Sequence, residues 1–429
     1  MGVYFTERKG TDMVDVRGFR GVRFVPEKTG SLDHVMTPPY DVISAEQRAR
    51  LAAEGPYNMV HLMLPEARDA FDKYQSAANY LEAWLDEGVL MQDGEPSFYL
   101  LRQHFKGIEG THYTRRGFFA TVRLPEEGEQ NILGHERTFP KPVEDRLKLM
   151  EAVNANLEPV FCLYKDPAHA LTPFLDQMDA RPADLTAKTM DGVEVEVWRV
   201  PAVTDVSEFF EDQILYIADG HHRFRTAGLY RDARRGKERR KGSQAYDYVM
   251  MGLVPMDDPG LKIYPTHRLM TMPEGFEPAA FLRSLKKWFD VEKEENDLAL
   301  AVRRTHARNA LGVAIHGHGD YVLTLKDVDR LELLGDDHGP AWRDLDVAVL
   351  HRGILEQVLG IPEGTVLTYD HDDKSTMEAV HTGAAGLAFI LRSTRPDQVC
   401  ACADAREAMP QKSTYFFPKL PSGGVMHRF

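Results

Sequence analysis

The chain has 429 residues, 43% apolar and 28% charged, with 52 basic against 66 acidic side chains and a net charge of −14. That length holds two or three domains, and the balance is usual for a globular protein. The acidic excess argues against a general nucleic-acid binder, whose phosphate contacts need a net basic face, and no apolar run approaches membrane-spanning length.

Residues 1–15 read as a loose polar segment, and an ordered domain begins at Arg20-Gly21-Val22-Arg23-Phe24. Thr37-Pro38-Pro39-Tyr40-Asp41-Val42-Ile43 reads as an extended turn, because each proline drives the residue before it out of the helical region. Tyr40 and Asp41 either line a pocket there or brace the turn. Ser44 ahead of Glu46 and Gln47 marks a helix start. Tyr57 to Leu64 reads as a strand. Ala70 to Glu87 reads as a helix with Phe71, Tyr74, Ala77, Ala78, Leu81 and Leu85 on one stripe and Gly88 as its stop. Phe98 to Phe105 and Thr111 to Leu124 form an expected hairpin that turns at Gly107 and Gly110.

Ile132 to Arg146 is dense in charge: His135, Glu136, Arg137, Lys141, Asp145 and Arg146 fall within it. Pro140 and Pro142 make part of it stiff and extended, and a helix is expected from Val143 to Asn156. The stretch is either a salt-bridged loop or the place where Glu136 and Arg137 enter a shared cleft with Asp219. Phe161 to Tyr164 is a strand, residues 166–180 suggest a helix, and Val193 to Val200 alternates as a half-buried strand should.

The stretch around which the chain is organised is Ile217-Ala218-Asp219-Gly220-His221-His222-Arg223-Phe224. A short apolar run, Gln213 to Ile217, precedes it, and Phe224, Ala227 and Tyr230 recur at helical spacing after it. Asp219-Gly220 therefore sits at a strand-to-helix turn. Two histidines and an arginine in a first helical turn oppose the helix dipole, so stability alone does not place them there. A bound anion would explain them, facing free N–H groups, the dipole and Arg223 together. The plain alternative is an Asp219 N-cap with solvated or packed histidines.

Arg231 to Lys241 carries seven basic residues and reads as a solvated helix end and loop. Tyr248 to Val254 is an apolar strand, followed by the polar cluster Tyr264-Pro265-Thr266-His267-Arg268. From residue 275 the texture changes. Phe281 to Phe289 is an amphipathic helix, and Ala310 to Ile315 with Tyr321 to Leu325 make a hairpin around His316-Gly317-His318-Gly319-Asp320. Leu345 to Leu359 is helical, Gly386 to Leu391 a buried strand and Asp404 to Met409 a short helix. The three cysteines, Cys162, Cys400 and Cys402, fit a reducing compartment. Cys400 and Cys402 read as small buried hydrophobes on a strand. The tail Met409 to Gly424 alternates Lys412, Ser413, Thr414, three aromatics and Lys419 with prolines; it is either a clasp or a source of lysines for an anionic ligand. No signal-peptide pattern opens the chain, so the expected location is the cytoplasm.

Five motifs in order, from Thr37-Pro38-Pro39-Tyr40-Asp41 through His135-Glu136-Arg137-Thr138-Phe139, Ala218-Asp219-Gly220-His221-His222-Arg223 and Pro265-Thr266-His267-Arg268 to Pro410-Gln411-Lys412-Ser413-Thr414-Tyr415, resemble domain-of-unknown-function family 1015. The strand–Asp-Gly-His-His-Arg–helix unit is also similar to the phosphate-binding box of the ParB and sulfiredoxin superfamily, which includes free-serine kinases. That second resemblance implies nucleotide phosphates at Gly220, His221, His222 and Arg223. The chain is acidic and lacks a helix-turn-helix reader, unlike the partition proteins. Histidines also stand where sulfiredoxin needs its cysteine.

The fold expected is α+β (mixed α/β): a ParB/sulfiredoxin-like nucleotide-binding core elaborated by further α/β segments. An N-terminal domain over 16–274 and a C-terminal α/β domain over 275–429, its tail returning toward the cleft, are expected. The expected function is a nucleotide-dependent phosphotransferase acting on a small, serine-like hydroxylated metabolite. A nucleotide-binding regulator and a phosphate-ester hydrolase are the rivals. Asp219, His221 and Glu136 are the catalytic candidates. Gly220, His222, Arg223, Arg137, Lys412, Ser413, Thr414 and Lys419 are the phosphate or nucleotide contacts. ATP or ADP is the expected cofactor, with or without Mg²⁺, and no metal site of the protein's own is expected. The partners are a nucleotide and a small substrate, with neither membrane nor nucleic acid, and a homodimer stays open.

Overall fold

Alternating apolar residues in the first two-thirds of the chain build one large sheet. The structure, a computed structural model, describes residues 13–238, 242–362 and 364–429. Most of the expected loose N-terminal segment, and residues 239–241 of the basic run, lie outside the described residues. Two compact units form. The first takes the chain up to Gly134, Thr138–Leu261 and Pro418–Phe429; the second takes His135–Arg137 and Lys262–Phe417.

Among the described residues the first unit is built on nine strands: β1 (Val16–Arg17), β2 (Ser97–Lys106), β3 (His112–Arg123), β4 (Ile132–Leu133), β5 (Val160–Tyr164), β6 (Leu185–Lys188), β7 (Glu194–Pro201), β8 (Leu215–Asp219) and β9 (Tyr248–Pro255). Their order is β4-β8-β5-β9-β3-β2-β7-β6, with β1 against β3. The β8–β4 and β9–β5 pairs are parallel and the others antiparallel, so the sheet is mixed, as the sequence led us to expect. One face carries Phe118, Cys162, Ile217 and Met251 into a core with Phe174, Phe210, Ala227 and Tyr230. On Gly252 of β9 a Cβ would stand 2.3 Å from Leu420 Cδ1, so the C-terminal segment lies on bare backbone there. That segment is pinned along its length. Ser422 bridges to Thr37, Met426 to Val22, and His427–Arg428 pairs with Ala155–Asn156.

The second unit has β10 (Lys262–Tyr264), β11 (His267–Met270), β12 (Phe289–Glu294), β13 (Ala310–Ile315), β14 (Gly319–Leu325), β15 (Thr368–Asp370), β16 (Leu387–Ile390) and β17 (Tyr415–Phe417). An antiparallel sheet in the order β12-β14-β13-β16-β11-β15 packs Leu269, Ala314 and Ile390 against Leu298, Val302 and Val380. β10 pairs with β17.

Several local expectations are corrected. Residues 57–64 are not a strand: Val60–Met63 is a short helix, and the Asn58 side chain accepts the Val60 N–H at 3.0 Å, which turns the apolar run inward as a helix. The expected 70–87 helix starts later, at Lys73–Asp86, because Asp72 caps it; Phe71 falls outside and is exposed, while Trp84 joins Ala77 and Leu81 in the core. Pro140 and Pro142 are not extended but sit in the first turn of the Pro140–Val153 helix, where a missing N–H costs nothing. Tyr40–Val42 forms a 3₁₀ turn after the extended prolines. Cys400 and Cys402 are buried, but on the Pro396–Asp404 helix rather than a strand, and residues 405–409, expected as a short helix, lie beyond its end. The amphipathic helix is Pro278–Leu285, and Phe289 opens β12. The basic run is not a solvated end throughout. Arg231 is buried and donates to the Leu124 and Pro125 carbonyls, and Arg235 pairs with Asp247 and Glu126.

Candidate functional site

β8 ends at Asp219, and Gly220 turns the chain, at φ 90°, into the His221–Lys237 helix. Two constraints demand glycine there. The left-handed backbone strains any residue with a side chain. A Cβ at 220 would also stand 3.0 Å from Arg223 Nε, because the Arg223 side chain folds back over the turn. Gly134 answers a similar need: its Cβ would lie 2.9 Å from the His221 ring.

Asp219 stands next to the helix start, and its side chain does not cap it. Its Oδ2 accepts Arg223 Nη2–H at 2.6 Å and its Oδ1 accepts the Lys419 ammonium at 2.8 Å. Arg223 Nη1 donates to the Pro159 carbonyl. The three side chains are 16%, 9% and 13% exposed. Burial alone would raise the Asp219 carboxyl, but Lys419 and Arg223 outweigh it and hold the group well below the usual carboxylate range. For Arg223 burial opposes the charge and Asp219 more than restores it, so the guanidinium titrates above its ordinary value. Burial pushes His221 down to about 4 against the pull of Asp219, which makes it a neutral imidazole at pH 7.

Arg223 is therefore buried and ion-paired at the helix start, and its loss would not leave folding untouched. The carbonyl of Pro159 and the Asp219 carboxylate build it into the fold. His222 is half-buried; its Nε2 accepts the Phe139 N–H at 3.0 Å, and its ring stacks on Phe139 at the start of the Pro140–Val153 helix. Glu158, which the sequence reading passed over, is buried beside this cluster. Its Oε1 accepts the Tyr40 N–H at 2.9 Å and the Ser422 hydroxyl at 3.2 Å. Burial pushes its carboxyl up, although Arg223 and Arg146 pull the other way. A charged residue in the otherwise apolar run Leu157 to Leu163 was the available signal.

The other candidates belong to the second unit. Glu136 and Arg137 lie in the short His135–Arg137 piece, where the His135 carbonyl accepts the Met409 N–H and His135 Nε2 meets the Thr414 hydroxyl at 3.2 Å. Lys412 is exposed at φ 58°. Its carbonyl and that of Gln411 each accept Arg268 Nη2–H at 3.0 Å. Ser413 is buried, its hydroxyl donating to the Pro410 carbonyl and its own carbonyl accepting from Thr394. Arg268 thus ties the Pro265-Thr266-His267-Arg268 motif to the Lys412-Ser413-Thr414 motif. Among the described residues, no three or more His, Cys, Asp or Glu side chains stand together as a metal site, and no helix is long and apolar enough to cross a membrane.

A family model described as a protein of unknown function, DUF1015, matches residues 16–348. The chain belongs to the DUF1015 family. No curated protein matches this DUF1015 sequence. Among solved structures, a free serine kinase in complex with AMP is 15% identical, at a TM-score of 0.35, over 70% of this chain and 86% of that one. A conserved hypothetical protein from Pyrococcus furiosus is 14% identical at 0.34, over 71% and 93%. SbnI with a C-terminal truncation, from Staphylococcus aureus, is 11% identical at 0.35, over 70% and 84%.

Proposed function

We propose that this protein is a nucleotide-dependent phosphotransferase acting on a small hydroxylated metabolite of the serine kind. The observation that carries this reading is the Asp219–Arg223–Lys419 triad at the first turn of the 17-residue His221–Lys237 helix. Phosphoryl transfer asks for positioning and charge stabilisation more than for covalent chemistry. A phosphate at the amides of Gly220 to Arg223 would meet a helix N-terminus and two cations already held in place. It would compete with Asp219 for Arg223 and Lys419. Asp219, so released, is the base for the acceptor hydroxyl. A Mg²⁺ brought by the nucleotide would supply further charge neutralisation, and Asp219 is the carboxylate that would hold it. His221, neutral at pH 7, serves as a hydrogen-bonding partner rather than as an acid. Gly220 and His222 complete the proposed nucleotide contacts on this unit.

The test is a thermal-shift series with ATP, ADP, CTP and GTP, with and without Mg²⁺, followed by an assay for phosphate transfer to serine and related alcohols. One nucleotide should raise Tm, and Lys419→Ala should weaken that shift without unfolding the protein. Arg223→Lys should recover only part of the binding, because lysine lacks the planar fork. If no nucleotide raises Tm, the reading fails. The position of Lys419 on the docked 418–429 segment supports a second reading, a nucleotide-binding regulator. Binding without transfer, with new protease sensitivity in that segment, would select it.

A further inference from the structure

Beside the Asp219 triad, within the first unit, the Pro140–Val153 helix, Asn156–Glu158, Thr226 and Val249 surround a cavity of about 40 Å³, room for about three waters. Three charged side chains line it: Arg146, Glu158 and Arg223. Each is more than nine-tenths buried. One of them has an unmet bond: Arg223 Nε–H is buried and has no acceptor. Glu158 accepts from the Tyr40 N–H and the Ser422 hydroxyl on Oε1, which leaves Oε2 open to a further donor. Arg146 is anchored by Asp145 and the Met63 carbonyl and lies 4.4 Å over the Tyr40 ring, so it lends charge from a fixed place.

A buried donor without an acceptor is costly to leave empty, and the open Glu158 oxygen in the same cavity offers the opposite charge. The formal charges around it balance: Arg146, Arg223, Lys419 and Lys73 stand against Asp145, Asp219, Glu158 and Asp41. A simple anion would have Glu158 against it, and a simple cation would have the two guanidinium groups against it. A molecule carrying both charges, net neutral, satisfies both open groups and leaves the balance intact. We propose that this cavity takes the head of a small α-amino acid, its ammonium on Glu158 Oε2 and its carboxylate on Arg223 Nε beside Arg146. The inference deepens the phosphotransferase reading, on which it rests for calling the amino acid the acceptor; the binding itself needs no nucleotide.

The test is calorimetric titration of the full chain, without nucleotide, with glycine, L-serine, acetate and methylammonium. Glycine and L-serine should bind, and acetate and methylammonium should each bind at least about tenfold more weakly, since each satisfies one open group. Glu158→Gln should weaken glycine about tenfold and leave acetate unchanged. Because that variant also touches Tyr40 and Ser422, its Tm is read alongside. Val249→Leu, which adds a methylene to the cavity and alters no charge, should abolish amino-acid binding by itself. Absence of glycine and L-serine binding, or unchanged binding in Val249→Leu, overturns the proposal and leaves a water-filled cavity. Nucleotide shifts measured on the same samples separate the two readings. Amino-acid binding without nucleotide binding keeps this inference and sinks the phosphotransferase. Nucleotide binding with transfer to another alcohol, and no amino-acid binding, does the reverse.

Discussion

Arg223 and Arg268 are both buried, each closes a short polar motif, and each has a histidine nearby that burial keeps neutral. Their partners differ. Arg223 faces a carboxylate, and Asp219 holds its charge above the ordinary value. Arg268 faces the carbonyls of Thr266, Gln411 and Lys412 and His351 Nε2 at 3.3 Å; burial pushes it down to about 10 and His351 down to about 3. An ion-paired arginine can exchange its carboxylate for another anion, because the incoming anion takes over the charge pairing. A carbonyl-clamped arginine holds backbone groups whose loss of a donor is costly. The first arrangement suits a site and the second a strut.

The largest expected effect breaks the first arrangement. Asp219→Ala leaves Arg223 and Lys419 buried without their counter-charge and should cost about 3–5 kcal/mol in urea unfolding. An unchanged midpoint would mean that the triad relaxes into water and that the contrast with Arg268 is empty.

Acid pH tests both arrangements together. In the unfolded chain an imidazole takes its proton near its ordinary value of 6.5, whereas buried His221 does so only at about 4 and His351 at about 3. Over that window the unfolded state binds more protons, so stability is whole above pH 6.5 and falls as pH falls toward 4. Each histidine can contribute up to about 3 kcal/mol of that loss. Lowered carboxyl groups such as Asp219 act lower still, their stability present above about pH 4 and lost beneath it. His221→Gln and His351→Gln should each flatten the slope between pH 6.5 and 4 in denaturant titrations. A slope unaltered in both would place the proton uptake elsewhere.

Arg268→Met removes the donor for three carbonyls and should cost about 2–3 kcal/mol. Proteolysis near Lys412 should rise with it. A variant as stable and as resistant as the parent would show that the carbonyls find water, and Arg268 would no longer count as a strut.

Gly220→Ala is the mildest change. The positive φ and the close approach of Arg223 should together cost about 1–2 kcal/mol. Nucleotide shifts, where present, should shrink by more than Tm does, because the Arg223 guanidinium must move. Equal losses in both would make the turn a folding element alone.

Reading the chain went furthest where the signal is local. The strand, turn and helix at 215–237 follow from an apolar run, a glycine and a 3.6-residue repeat, and all three act within a few residues. The same holds for the 97–123 hairpin and for the Ser44–Gln47 capping box. It failed where one side chain overrode a pattern. Asn58 opens a short helix where an apolar run suggested a strand, Asp72 moved a helix start by a few residues, and Pro396 began a helix where alternating cysteines suggested a strand. Most element types, their order and the mixed α/β class were within reach of the sequence by itself because periodicity and turn chemistry are carried by neighbours in the chain. The burial of Arg223, the neutral state of His221, the Lys419–Asp219 pair across two hundred residues and the place of Glu158 were decided only by the tertiary structure. Desolvation and ion pairing depend on which groups the whole fold brings within a few ångströms, and spacing along the chain does not encode that.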